Sequence, residues 1–235
     1  MQNKSKKHEE ITEHIREKRT SRKKPISFQI QLNEEQKEAK DTIISNDITV
    51  LSGKAGSGKT LLACQVALDY LFREEVKKIY ITRPTVSDEE IGFLPGTLED
   101  KLDPWVQPIY ENMYILYNRE KIDSLIKDKI IEIVPISFMR GRTFLDSFII
   151  IDEAQNCTHK QMEMVQTRIG LKSKMVICGD VSQIDLKGRQ SGFAFLFEIA
   201  KYVESYGSFI LKKNHRHPIV DKILELYAKK FEAQD

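Results

Sequence analysis

The run Ile48-Thr49-Val50-Leu51-Ser52-Gly53-Lys54-Ala55-Gly56-Ser57-Gly58-Lys59-Thr60-Leu61 leaves an apolar strand, crosses a glycine-rich loop and enters a helix. Gly53 to Thr60 fit the pattern GxxxxGK[ST] at every fixed position. Such glycines let the backbone curl until successive N–H groups face one point, and the following helix adds the positive end of its dipole. The loop is therefore a cradle for phosphate. Gly53, Lys54, Ala55, Gly56, Ser57, Gly58 and Leu61 are expected to line it. Lys59 is expected to reach the β- and γ-phosphates, and Thr60 to hold Mg2+ through its hydroxyl. The ligand class is a nucleoside triphosphate with Mg2+.

Outward from the loop, strand-like and helix-like segments alternate. Leu61 to Phe72 reads as a buried helix, Lys78-Ile79-Tyr80-Ile81 as a strand, and Phe148 to Ile151 and Met175 to Cys178 as two more. Almost continuously apolar strands are buried on both faces, which predicts an α/β fold with a mainly parallel sheet and helices on both sides. Residues 84–128 break the rhythm with turn signals at Gly92, Pro95, Gly96, Pro104 and Pro108, then helices from about Pro108 to Lys127. They are read as a helical insertion in a single domain over 26–235. Residues 1–25 carry many charges and few apolar side chains, and are read as a basic, disordered or marginally helical arm.

The chain has 235 residues, 40% apolar and 31% charged, with a formal net charge of +2. That balance names no partner, so any nucleic-acid surface has to be local. The longest apolar runs are too short to span a bilayer, and no leader peptide is visible, so the expectation is a cytoplasmic protein with no membrane partner. Cys64, Cys157 and Cys178 lack metal-ligand spacing and are expected to be buried, reduced thiols.

Two further strand ends carry chemistry. Phe148-Ile149-Ile150-Ile151-Asp152-Glu153-Ala154-Gln155 ends a buried strand in two carboxylates. In a parallel sheet the carboxyl ends of the strands line the ligand crevice. Asp152 is then expected to face the Mg2+ held by Thr60, and Glu153 to orient and deprotonate the attacking water. Cys178-Gly179-Asp180-Val181-Ser182-Gln183 ends a third strand, where the Gln183 amide is suited to a γ-phosphate oxygen or that water.

The Asp152-Glu153-Ala154-Gln155 box and Gly179-Asp180-x-x-Gln183 resemble motifs of superfamily 1 helicases, and Leu32-Asn33-Glu34-Glu35-Gln36 resembles their adenine-reading glutamine motif. By that resemblance Gln36 would grip the adenine edge and favour ATP. From about Asn33 to Lys229 the chain resembles the PhoH family of phosphate-starvation-inducible ATPases. The resemblance is carried by Thr82-Arg83-Pro84, Gly92-Phe93-Leu94-Pro95-Gly96, Met139-Arg140-Gly141-Arg142-Thr143, Thr167-Arg168-Ile169-Gly170, Gly179 to Leu186 and Arg216-His217-Pro218. It implies a RecA-like core, a hexameric ring and an RNA-remodelling or helicase role. One departure is Lys187-Gly188-Arg189-Gln190, where the family usually reads Pro-Arg-Gly-Gln.

After Gln183 too little chain remains for a second RecA-like domain, so the arginine that completes such a site is expected from a neighbouring copy. Arg216 is the first candidate, for a contact near phosphate in cis or in trans, with Arg189 and Arg168 behind it. Arg83, Arg140 and Arg142 are candidate phosphate contacts for single-stranded RNA, with Phe93 as a base-stacking side chain. Trp105 and Phe138 are read as core. Two other classes fit the phosphate loop: an ATP-gated assembly protein with little turnover, and a kinase of a small metabolite. Glu153 beside Asp152 argues against the kinase.

Overall fold

The computed structural model describes residues 28, 30–84, 98–184, 186 and 190–231. The arm 1–25 and part of the 84–128 segment lie outside them. Six strands are present: β1 (Ile48–Gly53), β2 (Lys78–Thr82), β3 (Ile131–Ile133), β4 (Ser147–Ile151), β5 (Lys174–Gly179) and β6 (Tyr206–Leu211). They form one sheet in the order β3-β2-β4-β5-β1-β6, and every neighbouring pair is parallel. The helices are α1 (Glu34–Ser45), α2 (Lys59–Phe72), α3 (Leu98–Leu116), α4 (Arg119–Lys127), α5 (His159–Gln166), α6 (Leu196–Tyr202) and α7 (Pro218–Phe231).

Strand side chains alternate between two apolar layers, as the pleat requires. Leu51, Ile79, Ile81, Phe148, Ile150, Val176 and Cys178 face the layer built by α1, α2, α3 and α4. Val50, Tyr80, Ile149, Ile151, Met175 and Ile177 face the opposite layer, which includes Met162 and Val165 of α5 and Leu196 of α6. The architecture is the expected α/β fold, a parallel sheet with helices on both faces. Among the described residues, no helix is long and apolar enough to cross a membrane.

Local chemistry starts the helices where they start. Asn33 and Gln36 form a reciprocal capping box on α1, and Thr158 and Gln161 form another on α5. Helix α3 begins at Leu98 and carries Pro104 and Pro108 inside it, so a stretch read as turn is helical. Each proline removes one amide donor. The later turns are held by Ile109, Met113 and Leu116, all fully buried in the layer that contains α2. Strand β6 begins at Tyr206, three residues before its short apolar run Phe209-Ile210-Leu211. As an edge strand it exposes Ser208 and Ile210, and that alternation hid it from a search for continuous apolar runs.

Lys174, at the start of β5, is 3% exposed. Its ammonium donates to the carbonyl of Ile44 at 3.0 Å and to that of Asn46, so it closes the carboxyl end of α1 onto the sheet. Lys174→Met keeps the apolar stem and removes the donor. We expect a loss of about 1–3 kcal/mol, read in urea or thermal unfolding as a midpoint lower by roughly 2–4 °C per kcal/mol. An unchanged midpoint would show that α1 does not need this cap.

Candidate active site

Strand β5 lies between β1 and β4, with Ser52 paired to Gly179 and Ile151 to Ile177. The carboxyl ends of all three strands therefore emerge side by side. From β1 the chain enters the phosphate loop. Gly56 and Gly58 take φ of 86° and 85°, the left-handed region that strains any residue with a Cβ. Gly58 caps α2, so the first free N–H groups of a long helix belong to Lys59 and Thr60. The Lys59 ammonium donates to the carbonyls of Gly53 at 2.6 Å and Lys54 at 3.2 Å.

Across β5, the Thr60 hydroxyl donates to Asp152 Oδ1 at 2.8 Å. Asp152 is 5% exposed, and its own N–H is tied to the Thr82 carbonyl at the end of β2. Burial first, and then the neighbouring charge of Glu153, push its carboxyl above the usual carboxylate range; the Thr60 hydroxyl and Arg83 oppose the shift without reversing it. A buried acid and a hydroxyl in contact are the donor set a small hard cation takes. Within the loop, Ser57 Oγ is buried with no hydrogen-bond partner among the described residues. Left-handed glycines, an uncommitted buried hydroxyl and an acid raised by burial all fit a bound Mg2+–triphosphate.

Glu153 follows with φ 52° and ψ 37°, a left-handed conformation that costs a non-glycine residue about 1–2 kcal/mol. The buried turn Ala154–Asn156 holds it there. Among the described residues its side chain has two partners. Gln155 Nε2 donates to Glu153 Oε2 at 2.7 Å, and Arg83 Nη2 lies 3.6 Å from Glu153 Oε1.

Two residues essential to this arrangement received no role from the sequence. Gln155, 1% exposed, also accepts the Asp180 N–H at 3.0 Å, so one amide joins the end of β4 to the end of β5. Asp180 accepts the Ala55 N–H of the phosphate loop at 3.1 Å through one oxygen, and the Ser182 N–H and hydroxyl through the other. Both residues stood inside recognised strings; only the missing contacts would have named their work. Gln183 sits in the exposed turn after β5, its N–H bonded to the Asp180 carbonyl.

On the other side, the chain leaving β6 lies over the loop. Lys212 and Lys213 donate their N–H groups to the two oxygens of Glu35, at 2.8 and 3.1 Å. Partial burial opposes it, but these two N–H groups and the lysine charges hold the Glu35 carboxyl below its ordinary range. His215 N–H reaches the Gly56 carbonyl at 3.0 Å. A Cβ on Gly56 would stand 2.6 Å from Arg216 Cγ, so the Arg216 stem rests on the loop in cis. Gln36, the expected adenine contact, is 6% exposed. Its Oε1 caps α1, and its Nε2 would be 2.8 Å from a Cβ on Gly58.

Other candidates lie elsewhere. Arg168 is near the amino ends of β4 and β5, bonded to Met164 and Thr167. Arg142 lies over the Tyr80 and Phe144 rings and beside Glu132 at 3.5 Å. Arg140 is exposed, and so is Phe138 at 56%, which corrects its reading as core: it lies in the short turn Ile136–Met139 beyond β3, whose buried side chains are Ile136 and Met139. Leu61 is half-buried at the first turn of α2 and Lys54 is exposed. Phe93, Arg189 and the Trp105 side chain lie outside the described residues. All three cysteines are free and buried.

The model of the PhoH-like protein family matches residues 30–228. The chain belongs to the PhoH family. A PhoH-like protein of Bacillus subtilis (strain 168) is 45% identical over 188 residues, covering 78% of this chain and 59% of the relative. One of Synechocystis is 42% identical over 189 residues, covering 79% and 58%. The chain thus spans a little under three fifths of the length of these curated relatives. Protein PhoH2 of B. subtilis is 38% identical over 207 residues, covering 83% of this chain and 46% of its own. Among solved structures, the Pif1 helicase of Candida albicans superposes with a TM-score of 0.43 at 15% identity, over 83% of this chain and 43% of that one. The Sulfolobus solfataricus SWI2/SNF2 ATPase core in complex with dsDNA gives 0.44 at 16%, over 83% and 47%.

The buried acid yields a test that needs no nucleotide. A carboxyl whose folded pKa is raised supplies stability below its unfolded pKa and loses it as pH rises through the folded value. Without metal, Asp152→Asn should therefore melt above the wild type near neutral pH, by a few degrees. The gap should close as pH falls and the wild-type carboxyl takes up its proton. A variant that melts lower at every pH would contradict the placement of this charge.

Proposed function

We propose that the chain binds ATP with Mg2+ at the ends of β1, β4 and β5 and hydrolyses it, and that hydrolysis is coupled to binding or remodelling single-stranded RNA in a ring of identical copies. The observation that carries the reading is the 2.8 Å contact between Thr60 and Asp152, with Glu153 next along the chain. Thr60 and Asp152 would hold the Mg2+, which when bound draws charge from the β- and γ-phosphates. Lys59 exchanges its loop carbonyls for phosphate oxygens. Glu153 accepts a proton from the attacking water, and Gln183 is near enough in the chain to the β5 end to orient it. Arg216, resting on Gly56, adds positive charge beside the phosphates in cis. An arginine from a neighbouring copy, with Arg189 and Arg168 as candidates, completes the ring reading. Arg83, Arg140 and exposed Phe138 lie beyond the ends of β2 and β3, on the edge of the sheet that carries the loop, and suit a phosphate backbone with stacked bases. Three buried free thiols agree with a cytoplasmic location.

One observation favours the alternative of a nucleotide-gated assembly protein: Glu153 is already engaged by Gln155 and Arg83. Phosphate release with and without poly(U) decides between them. Turnover stimulated by RNA supports hydrolysis coupled to RNA; slow turnover indifferent to RNA supports the alternative. Lys59→Ala should lose ATP binding or turnover. Glu153→Gln should bind ATP normally and turn over about a hundred-fold more slowly or worse; wild-type turnover in that variant would remove Glu153 from the chemistry. Dilution to monomer should lower the rate per chain, and a constant rate would defeat the arginine in trans.

A further inference from the structure

Glu153 is restrained from two sides, and the two restraints differ in kind. Gln155 is almost wholly buried, and both ends of its amide are committed, one to Glu153 Oε2 at 2.7 Å and the other to the Asp180 N–H at 3.0 Å. Asp180 in turn holds Ala55 of the phosphate loop. That restraint is part of the rigid floor of the site. Arg83 is different. It follows β2, its side chain is 25% exposed against 37% for Glu153, and its nitrogen stands 3.6 Å from Glu153 Oε1, longer than a good charge-assisted hydrogen bond. Partly solvated pairs of this length are weak and exchangeable. A guanidinium prefers a bidentate phosphate or carboxylate, so a phosphodiester that reaches Arg83 competes directly with Glu153.

We propose that Arg83 is a positioning residue that biases Glu153 toward a resting pose, and that the backbone of a single-stranded nucleic acid loosens that hold, leaving Glu153 to Gln155 alone, by taking Arg83 for itself. The inference rests on the assignment of Glu153 as the acid that acts on water. It gives the coupling between polymer and ATP a physical link: one guanidinium for which two anions compete. Linkage then requires reciprocity. If RNA weakens the hold on Glu153, the charge on Glu153 must weaken the hold on RNA.

The test uses the full chain without nucleotide and a fluorescein-labelled oligo(U), followed by anisotropy at fixed salt. Glu153→Gln should bind the oligonucleotide about five-fold more tightly than wild type. Arg83→Gln should bind it more weakly, with a salt slope smaller by about one, and adding Glu153→Gln to Arg83→Gln should produce no further tightening. That last comparison removes the trivial effect of deleting a negative charge near a polyanion. In ATPase assays, Arg83→Gln should raise kcat without RNA several-fold, leave KM for ATP unchanged and lose stimulation by poly(U). Thermal melting confirms that each variant is folded, and Arg83→Lys, a charge without the planar fork, should restore part of the restraint. Equal tightening by Glu153→Gln in both backgrounds overturns the proposal. So does an Arg83→Gln enzyme whose RNA-free rate is no higher than wild type, or one stimulated by RNA as wild type is. Stimulation by heparin equal to that by poly(U) would overturn the nucleic-acid backbone as the occupant. A wild type with no phosphate release under any condition sinks the ATPase reading instead, and the anisotropy cycle still reads the Arg83–Glu153 competition.

Discussion

A single hydrogen bond, from the Thr60 hydroxyl to the Asp152 carboxylate, ties the first turn of α2 to the end of β4 across the intervening strand β5. Its energetics explain the site. A hydrogen bond to a charged group contributes about 1.5–3 kcal/mol, whereas taking a carboxylate out of water costs several kcal/mol even after relaxation. The hydroxyl alone does not offset that cost, which is why the Asp152 carboxyl sits high in the folded chain. The acid is held where a divalent cation would relieve it. Stability is given up at this point, and the surrounding apolar layers, with Ile149 and Ile151 fully buried just before it, supply what is given up.

Around that contact a floor is built from side chains whose polar atoms are spoken for. Gln155 joins β4 to β5, and Asp180 joins β5 to the phosphate loop. Buried polar networks of this kind are rigid when every member is satisfied and disruptive when one is not. Here the satisfied members are Gln155 and Asp180, while the uncommitted Ser57 hydroxyl lies in the loop itself. The rigid part is the scaffold; the unsatisfied hydroxyl belongs to the loop proposed to hold phosphate.

Much of this was legible in the sequence, and the divide between what was and what was not has a physical basis. The phosphate loop, Thr60, Asp152 and Glu153 are readable because their chemistry depends on residue type at short spacing next to an apolar strand. The parallel sheet with apolar layers on both faces follows from continuous apolar runs, whereas the order of its six strands is set by pairings between residues far apart in the chain. The start of α3 was hidden by Pro104 and Pro108, and Tyr206–Ser208 of β6 by edge exposure. Gln155 and Asp180 were hidden for another reason. Asp180 is 125 residues from Ala55 and 25 from Gln155, so their bonds exist only once β4, β5 and β1 are neighbours. Arg83 was read as a contact for a polymer because it ends a strand at the ligand edge. The same position places it beside Glu153, and no local pattern marks that.

The strand order also divides the work of the site. Three central strands, β1, β5 and β4, carry the loop, the brace and the acids. The strands on either side of that trio, β6 and β2, each deliver one arginine to it: Arg216 through the chain laid over Gly56, and Arg83 through its pairing with Glu153. Neither arginine belongs to the buried floor. Arg216 is exposed and the Arg83–Glu153 contact is a long one at 3.6 Å, whereas Thr60, Asp152 and Gln155 are joined by short hydrogen bonds. A parallel sheet makes this arrangement natural, because all six strand ends that point toward the loop share one edge. Signals arriving at the flanking strands need move only a side chain to alter the charge around Glu153.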